Sequence, residues 1–170
     1  MHGPRLVTNS RGTFEVSIHQ PPSVLLRDVK QVFRSAVEQH SIDNIFMVPT
    51  IQRSAHNLLD MNSQVDKEKD DLLDRFCAFA NDMLCDIHEA GYWGDFCDPC
   101  SGLPMRSDGN TVYGEILGLE KVRRFQTTEA GACRVALHPL WGANMYPATI
   151  FTTAPPAFVE NWLSKNTTSE

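Results

Sequence analysis

The sequence predicts an α+β fold, with a mixed, mainly antiparallel sheet flanked by helices. Short segments that alternate between apolar and polar residues are typical of strands. Longer segments with apolar residues every three or four positions are typical of helices. The two kinds follow one another without the regular alternation of a parallel α/β fold. The 170 residues suit a single domain, predicted at residues 13–164 between a flexible N-terminus (1–12) and a polar tail (165–170).

The first half of the chain begins with a predicted strand, helix and strand. Residues 13–18 alternate between apolar and polar side chains, which favours a strand. Apolar residues at three- and four-residue spacing then predict a helix over residues 24–36. The short apolar run at 45–48 precedes Pro49 and is expected to form a buried strand. The polar, irregular segment 52–62 is expected to be an exposed loop.

The clearest predicted element is a long helix over residues 66–90. Ser63 and Asp66 have the spacing of a capping box at its start, and Gly91 is a natural stop. One face of this helix carries an apolar stripe. The residues of the stripe are Leu72, Leu73, Phe76, Ala80, Met83, Leu84 and Ile87.

The second half of the chain contains shorter segments bounded by turn residues. Segments with strand-like composition are expected to pair into the sheet, and a proline-initiated segment is expected to form the last helix. The predicted strands are 92–97, 111–116, 133–137 and 148–152, with a helical turn at 119–125 and a helix at 156–163.

The charge balance excludes several classes of protein. Fifteen basic and 21 acidic residues give a net charge of −6, which disfavours binding to nucleic acid or to an anionic membrane surface. No apolar run approaches the roughly 18–20 residues of a membrane span. Residues 1–8 have no signal-peptide character. We therefore expect a cytoplasmic protein whose cysteines are thiols.

Cys97 and Cys100 form a Cys-x-x-Cys pair with three interpretations. The spacing suits thiol–disulfide chemistry, but residues 101–104 are unfavourable for the helix that normally follows a redox pair. The pair could also supply half of a zinc site, with Cys133 and His138 as the other ligands. The third interpretation is two incidental thiols at a turn.

Cys133 is the other cysteine of interest, because Gly131 just before it allows a tight turn that would place the thiol at the mouth of a strand. Strand alternation puts Cys133 and His138 on opposite faces, so His138 is not expected to activate this thiol. Cys133 is therefore either structural or functional. Trp141, in the segment His-Pro-Leu-Trp-Gly, either packs over the core edge or anchors a partner.

Two stretches, residues 89–103 and 129–154, resemble the conserved domain of the CblD family, the methylmalonic aciduria and homocystinuria type D proteins. Order and spacing agree with the family pattern, and the match is specific over about residues 89–154. The matching pieces are Gly91-Tyr92-Trp93-Gly94-Asp95-Phe96, Asp98-Pro99, Ser101-Gly102-Leu103, Gly131-Ala132-Cys133-Arg134-Val135, His138-Pro139-Leu140-Trp141-Gly142 and Ile150-Phe151-Thr152.

The resemblance implies a fold related to flavin-dependent nitroreductases but without a flavin site. It implies a non-catalytic adaptor that binds no cofactor alone and docks on the cobalamin carrier CblC while this partner holds cob(II)alamin. The adaptor then routes the cofactor to methionine synthase or methylmalonyl-CoA mutase, and one of its cysteines ligates the cobalt. In this chain the ligand would be Cys133, with Gly131, His138 and Trp141 at the partner interface.

One departure from the family pattern concerns the proposed ligand. The family has two adjacent cysteines where this chain has Ala132 and Cys133. Either Cys133 ligates cobalt, or the chain docks without a cobalt–sulfur bond. The alternative functions are a thiol oxidoreductase or flavin reductase that uses Cys97 and Cys100, and a zinc-stabilised interaction module. A mitochondrial form could come from a longer transcript.

Overall fold

The computed structural model of the chain describes residues 6–9, 11–131 and 133–167. This part of the chain contains strands and helices in irregular order, and the α+β prediction is confirmed. The strands are β1 (Leu6–Thr8), β2 (Phe14–Ser17), β3 (Phe46–Arg53), β4 (Gly94–Phe96), β5 (Gln126–Ala130), β6 (Cys133–Leu137) and β7 (Met145–Thr152). The helices are α1 (Ser23–Val32), α2 (Arg34–His40), α3 (Ser63–Glu89), α4 (Glu115–Arg123) and α5 (Pro156–Asn166).

The main sheet has the strand order β1-β2-β3-β7-β4, and every neighbouring pair is antiparallel. Side chains alternate across β3 and β7, so Val48 and Ile150 pack beneath α3 and α5 on one face. Met47 and Phe151 face the opposite side and pack against α1 and α2. A separate two-stranded sheet, the β5–β6 hairpin, packs with α4 on that second side.

Strand β3 continues through Pro49, although the sequence predicted that it would end at Val48. Met47 and His19 exchange backbone hydrogen bonds of 2.8 and 2.9 Å. Two residues further along, the backbone of Pro49 also points towards β2, but proline has no N–H to donate. The ladder to β2 is therefore interrupted and β2 ends at Ser17, whereas the ladder to β7 continues on the other side.

The long helix α3 has the predicted stop but a different start. Asn62 is the N-cap, and its side-chain oxygen accepts two backbone N–H groups of the first turn at 3.0 Å. The predicted capping box of Ser63 and Asp66 is therefore wrong. Gly91 has φ +84°, and the chain leaves α3 through the paired backbone bonds of a Schellman motif.

Other predicted boundaries also move. The helix expected over residues 24–36 breaks at Phe33 into α1 and α2. The strand predicted at 111–116 is wrong, because the chain there is an irregular segment that leads into α4. Strand β5 was not predicted. Within 1–12 the structure contains β1, and α5 extends into 165–170.

Candidate functional site

The β5–β6 hairpin carries the cysteine singled out by the sequence. Ala130 pairs with Cys133, so the connection between the two strands begins at Gly131. Gly131 has φ +63°, a left-handed conformation that glycine adopts without strain. Ala132 lies outside the described residues. Strand β6 begins at Cys133, as predicted, and the thiol is exposed at the hairpin tip.

The two faces of the hairpin differ in charge and burial. Ala136 is fully buried on the inner face, against α4. The residues of the other face are exposed or half-buried and carry no charge. We call this surface the outer hairpin face; it consists of Gln126, Thr128, Ala130, Cys133, Val135 and Leu137. Charge depletion of this kind is typical of the central part of protein interfaces.

Arg134 follows Cys133 in sequence but belongs to the inner face. Its Nη2 lies 3.0 Å from Oε2 of Glu120 on α4, and its Nε donates to Oγ1 of Thr127 at 3.1 Å. The guanidinium therefore holds the tip of the hairpin to α4. Its bonds are to these two residues, so it is not directed at the Cys133 thiol.

The segment after β6 forms a tight loop around His138. His138 and Gly142 exchange backbone hydrogen bonds of 2.8 and 2.9 Å, and Gly142 has φ +58°. The His138 Nδ1 atom accepts the backbone N–H groups of Leu140 and Trp141 at 3.1 and 3.2 Å. The His138 ring stacks on Trp141 with centroids 3.9 Å apart. This arrangement leaves Leu140 83% exposed.

His138 also joins the loop to a buried polar network. Because Nδ1 accepts two hydrogen bonds, the ring proton is on Nε2, which donates to Oε1 of Glu15 at 3.2 Å. Arg123 donates to the other oxygen of Glu15 at 2.8 Å and to Oγ of Ser17 at 3.1 Å. The network thereby links the base of the hairpin to β2 and α4.

The same network extends to His19, whose Nε2 lies 2.9 Å from Oγ of Ser17. Burial, and then the nearby charge of Arg123, lower the pKa of His19 to about 4. His19 is therefore neutral at pH 7. The network contains one buried ion pair, between Glu15 and Arg123, with two neutral imidazoles around it.

The structure divides the predicted site into two parts. Gly131 and Cys133 lie at the hairpin tip, whereas His138 and Trp141 lie at its base. Cys133 and His138 are five positions apart along the strand, a span of about 17 Å. His138 is 4% exposed, so its ring acts inside the protein, on the loop that carries Leu140 and Trp141. The sequence could not separate these roles, since it gives no burial for a single histidine.

Glu15 and Arg123 were missed by the sequence analysis. They lie 108 positions apart in the chain, and no local pattern connects two such residues. The one available signal is that Glu15 lies in a predicted strand. Adjacent strand residues face opposite sides of the sheet, so a charged residue there can face the interior.

The Cys97–Cys100 pair lies at a turn that follows β4. Cys97 is 2% exposed, and burial raises the pKa of its thiol well above the usual range. Cys100 is exposed, and its backbone N–H donates to Asp98 at 3.2 Å. The segment does not open a helix, so it lacks the feature that activates redox thiols.

The zinc interpretation also lacks support. In residues 6–9, 11–131 and 133–167, no group of three or more His, Cys, Asp and Glu side chains is placed to hold a metal ion. Cys97 is buried beneath α1 and α2, whereas Cys133 is exposed on the hairpin. The four ligands considered from the sequence are therefore not brought together. In the same described ranges, no helix is both long and apolar enough to span a bilayer.

The fold and the site define a small α+β domain that presents an exposed thiol on the uncharged outer face of a two-stranded hairpin. A buried polar network around Glu15 and Arg123 links the base of this hairpin to β2 and α4. The chain belongs to the methylmalonic aciduria and homocystinuria type D protein family, whose model matches residues 6–160.

Relatives of known name agree with the family assignment. The chain is 28% identical over 144 residues to the cobalamin trafficking protein CblD of Rattus norvegicus, with 82% of this chain and 46% of the relative covered. It is 27% identical over 146 residues to the human protein of the same name, with 84% and 47% covered. The chain thus spans about half the length of these relatives.

Proposed function

We propose that this chain is a cobalamin-trafficking adaptor that presents Cys133 to cobalt held by a partner protein. The observation that carries the proposal is the exposure of the thiol at the tip of the outer hairpin face. The names of its relatives, which are cobalamin trafficking proteins, indicate the cargo. The adaptor itself performs no reaction and binds no cofactor alone.

The chemistry of the cargo suits a thiol ligand. A corrin ring occupies the equatorial positions of cobalt and leaves axial positions for other ligands, among which a thiolate binds transition metals well. The thiol loses its proton on coordination, so the bond forms more readily as pH rises. Cys133 replaces the family pair of cysteines in this role, and Ala132 beside it contributes no ligand.

The outer hairpin face supplies the docking surface around the thiol. Val135 and Leu137 are half-buried apolar residues on the same face, and removing them from water favours association. At the hairpin base, the exposed side chain of Leu140 and the stacked ring of Trp141 extend the surface. Gly131 and His138 act by shaping the tip and the base.

The partner proposed for this surface is a CblC-like carrier that holds cob(II)alamin. The destination enzymes are methionine synthase, methylmalonyl-CoA mutase or both, and the site of action is the cytoplasm, with a mitochondrial form if a longer transcript exists. The relation to flavin-dependent nitroreductases, without their flavin site, remains a prediction from the family resemblance.

The test is to mix the chain with a CblC-like carrier loaded with cob(II)alamin and record the visible spectrum. We expect a spectral change with the wild type and with Cys100→Ser, a matched control at another exposed cysteine. Cys133→Ser should abolish the change while the two proteins still co-elute in gel filtration. The same spectral change with Cys133→Ser as with the wild type would contradict cobalt ligation. Failure of the wild-type chain to co-elute with the carrier would contradict docking.

A further inference from the structure

A cavity of about 620 Å³ lies on the sheet face opposite the hairpin. Its walls come from the β1–β2 turn, the end of β3, α3 and α5. This volume lies within the range of about 300–1,000 Å³ that is typical of small-molecule sites. The proposed cobalamin role does not use this cavity.

Three arginines from three separate elements line the cavity. Arg11 lies on the β1–β2 turn, Arg53 ends β3 and Arg75 lies on α3. In the described part of the chain none of the three pairs with a carboxylate, and Asp82 is the one acidic residue in the lining. A concentration of positive charge in a protein of net charge −6 favours an anionic ligand. Guanidinium groups bind phosphate oxygens in a bidentate manner.

The backbone that carries two of these arginines is well fixed. The side-chain oxygen of Asn9 accepts the backbone N–H groups of Thr13 and Phe14 at 2.9 and 3.2 Å, which closes the turn around Arg11. The backbone N–H of Arg53 donates to the Thr13 carbonyl at 2.8 Å. Positions fixed before binding reduce the entropy lost when a ligand is held.

An aromatic wall adjoins the arginines. Phe79 lies edge-on to Phe14, with ring centroids 5.0 Å apart, and edge-on to Trp162, with centroids 5.5 Å apart. All three residues line the cavity. Nε1 of Trp162 donates to Oδ2 of Asp86 at 2.6 Å, so the polar atom of the indole is already satisfied. The wall therefore offers apolar ring surface to a planar group.

We propose that this cavity binds a small organic phosphate that carries a planar ring. The arginines hold the phosphate oxygens, and the ring packs on the wall formed by Phe14, Phe79 and Trp162. The site lies across the sheet from Cys133, so a ligand here does not compete for the outer hairpin face.

Isothermal titration calorimetry with ADP as probe tests the proposal, with pyrophosphate and adenosine as its two halves. We expect ADP to bind at least about tenfold more tightly than either half. Arg53→Gln and Arg75→Gln should each weaken ADP binding about tenfold or more. Arg27→Gln is the matched control, since Arg27 is an exposed arginine on α1, across the sheet. All these arginines are exposed, so thermal melting should show retained folding.

Absence of ADP binding at millimolar concentration would overturn the proposal. Equal affinity of ADP in wild type, Arg53→Gln and Arg75→Gln would also overturn it, because the arginines would then hold no phosphate. Pyrophosphate binding as tight as that of ADP would refute the ring contact with the aromatic wall. None of these results depends on whether the hairpin binds a cobalamin carrier.

Discussion

Replacement of Glu15 by Gln tests whether the buried network holds the hairpin. The amide oxygen can still accept the His138 Nε2 proton, but Arg123 loses the charge that neutralises it. The side chains of Arg123 and Glu15 are 12% and 8% exposed, so little water is available to compensate. Breaking a buried ion pair by removing one partner costs about 3–5 kcal/mol. Because Arg123 keeps its bond to Ser17 and its position 5.1 Å from the Phe125 ring centroid, we expect about 3 kcal/mol.

The assay is urea denaturation of the wild type, Glu15→Gln, Arg123→Met and the double variant, read by circular dichroism. The double variant removes the unpaired charge, so it should be more stable than Glu15→Gln alone, and the two single effects should not add. Strictly additive effects, or a loss below 1 kcal/mol in Glu15→Gln, would refute the view that this pair is a coupled buried unit.

Three further predictions concern single positions. Gly131→Ala should lower the free energy of unfolding by about 1 kcal/mol, because φ is +63° while the added carbon meets no neighbour; an unchanged urea midpoint would contradict this. Gly118→Ala should cost more, about 2 kcal/mol, because its β-carbon would overlap the buried Tyr113 hydroxyl; a cost no greater than that of Gly131→Ala would contradict this. Burial raises the pKa of Glu115 from 4.5 to about 7, although Thr149 donates to it at 2.5 Å. The unfolded state then binds fewer protons between these values, so wild-type stability should fall by on the order of 3 kcal/mol as pH rises from about 4.5 to 7. Glu115→Gln should lack this fall, and parallel pH profiles for the two proteins would contradict the assignment.

The elements with strong local signals were predicted well. The apolar stripe of α3 and its stop at Gly91 follow from a helical period over many turns and from the conformational freedom of glycine. The β6 strand was predicted with its observed bounds because turn residues precede it. Pro49 misled the prediction of β3, since proline is disfavoured in the middle of a sheet. Strand β7 pairs with the other edge of β3, where the hydrogen-bonding pattern requires no N–H from Pro49.

The candidate site was only partly predictable. The opposite orientation of Cys133 and His138 follows from strand alternation and agrees with the structure, whereas the sequence left open whether the Cys133 thiol is exposed. The ion pair of Glu15 and Arg123 beneath the hairpin could not be predicted from the sequence, because tertiary folding and not a local pattern brings these two residues together. Strand β5 was missed for a related reason: Gln126, Thr128 and Glu129 are polar, and they form a strand because β6 pairs with them.

The β5–β6 hairpin makes its ladder hydrogen bonds internally and none with the main sheet in the described part of the chain. Side-chain contacts hold both of its ends. At the base His138 bonds to Glu15, and near the tip the half-exposed Arg134 pairs with Glu120. Because the two sheets share no ladder bonds in that described part, a partner that pulls on the tip near Cys133 would not load the hydrogen bonds of the central strands directly.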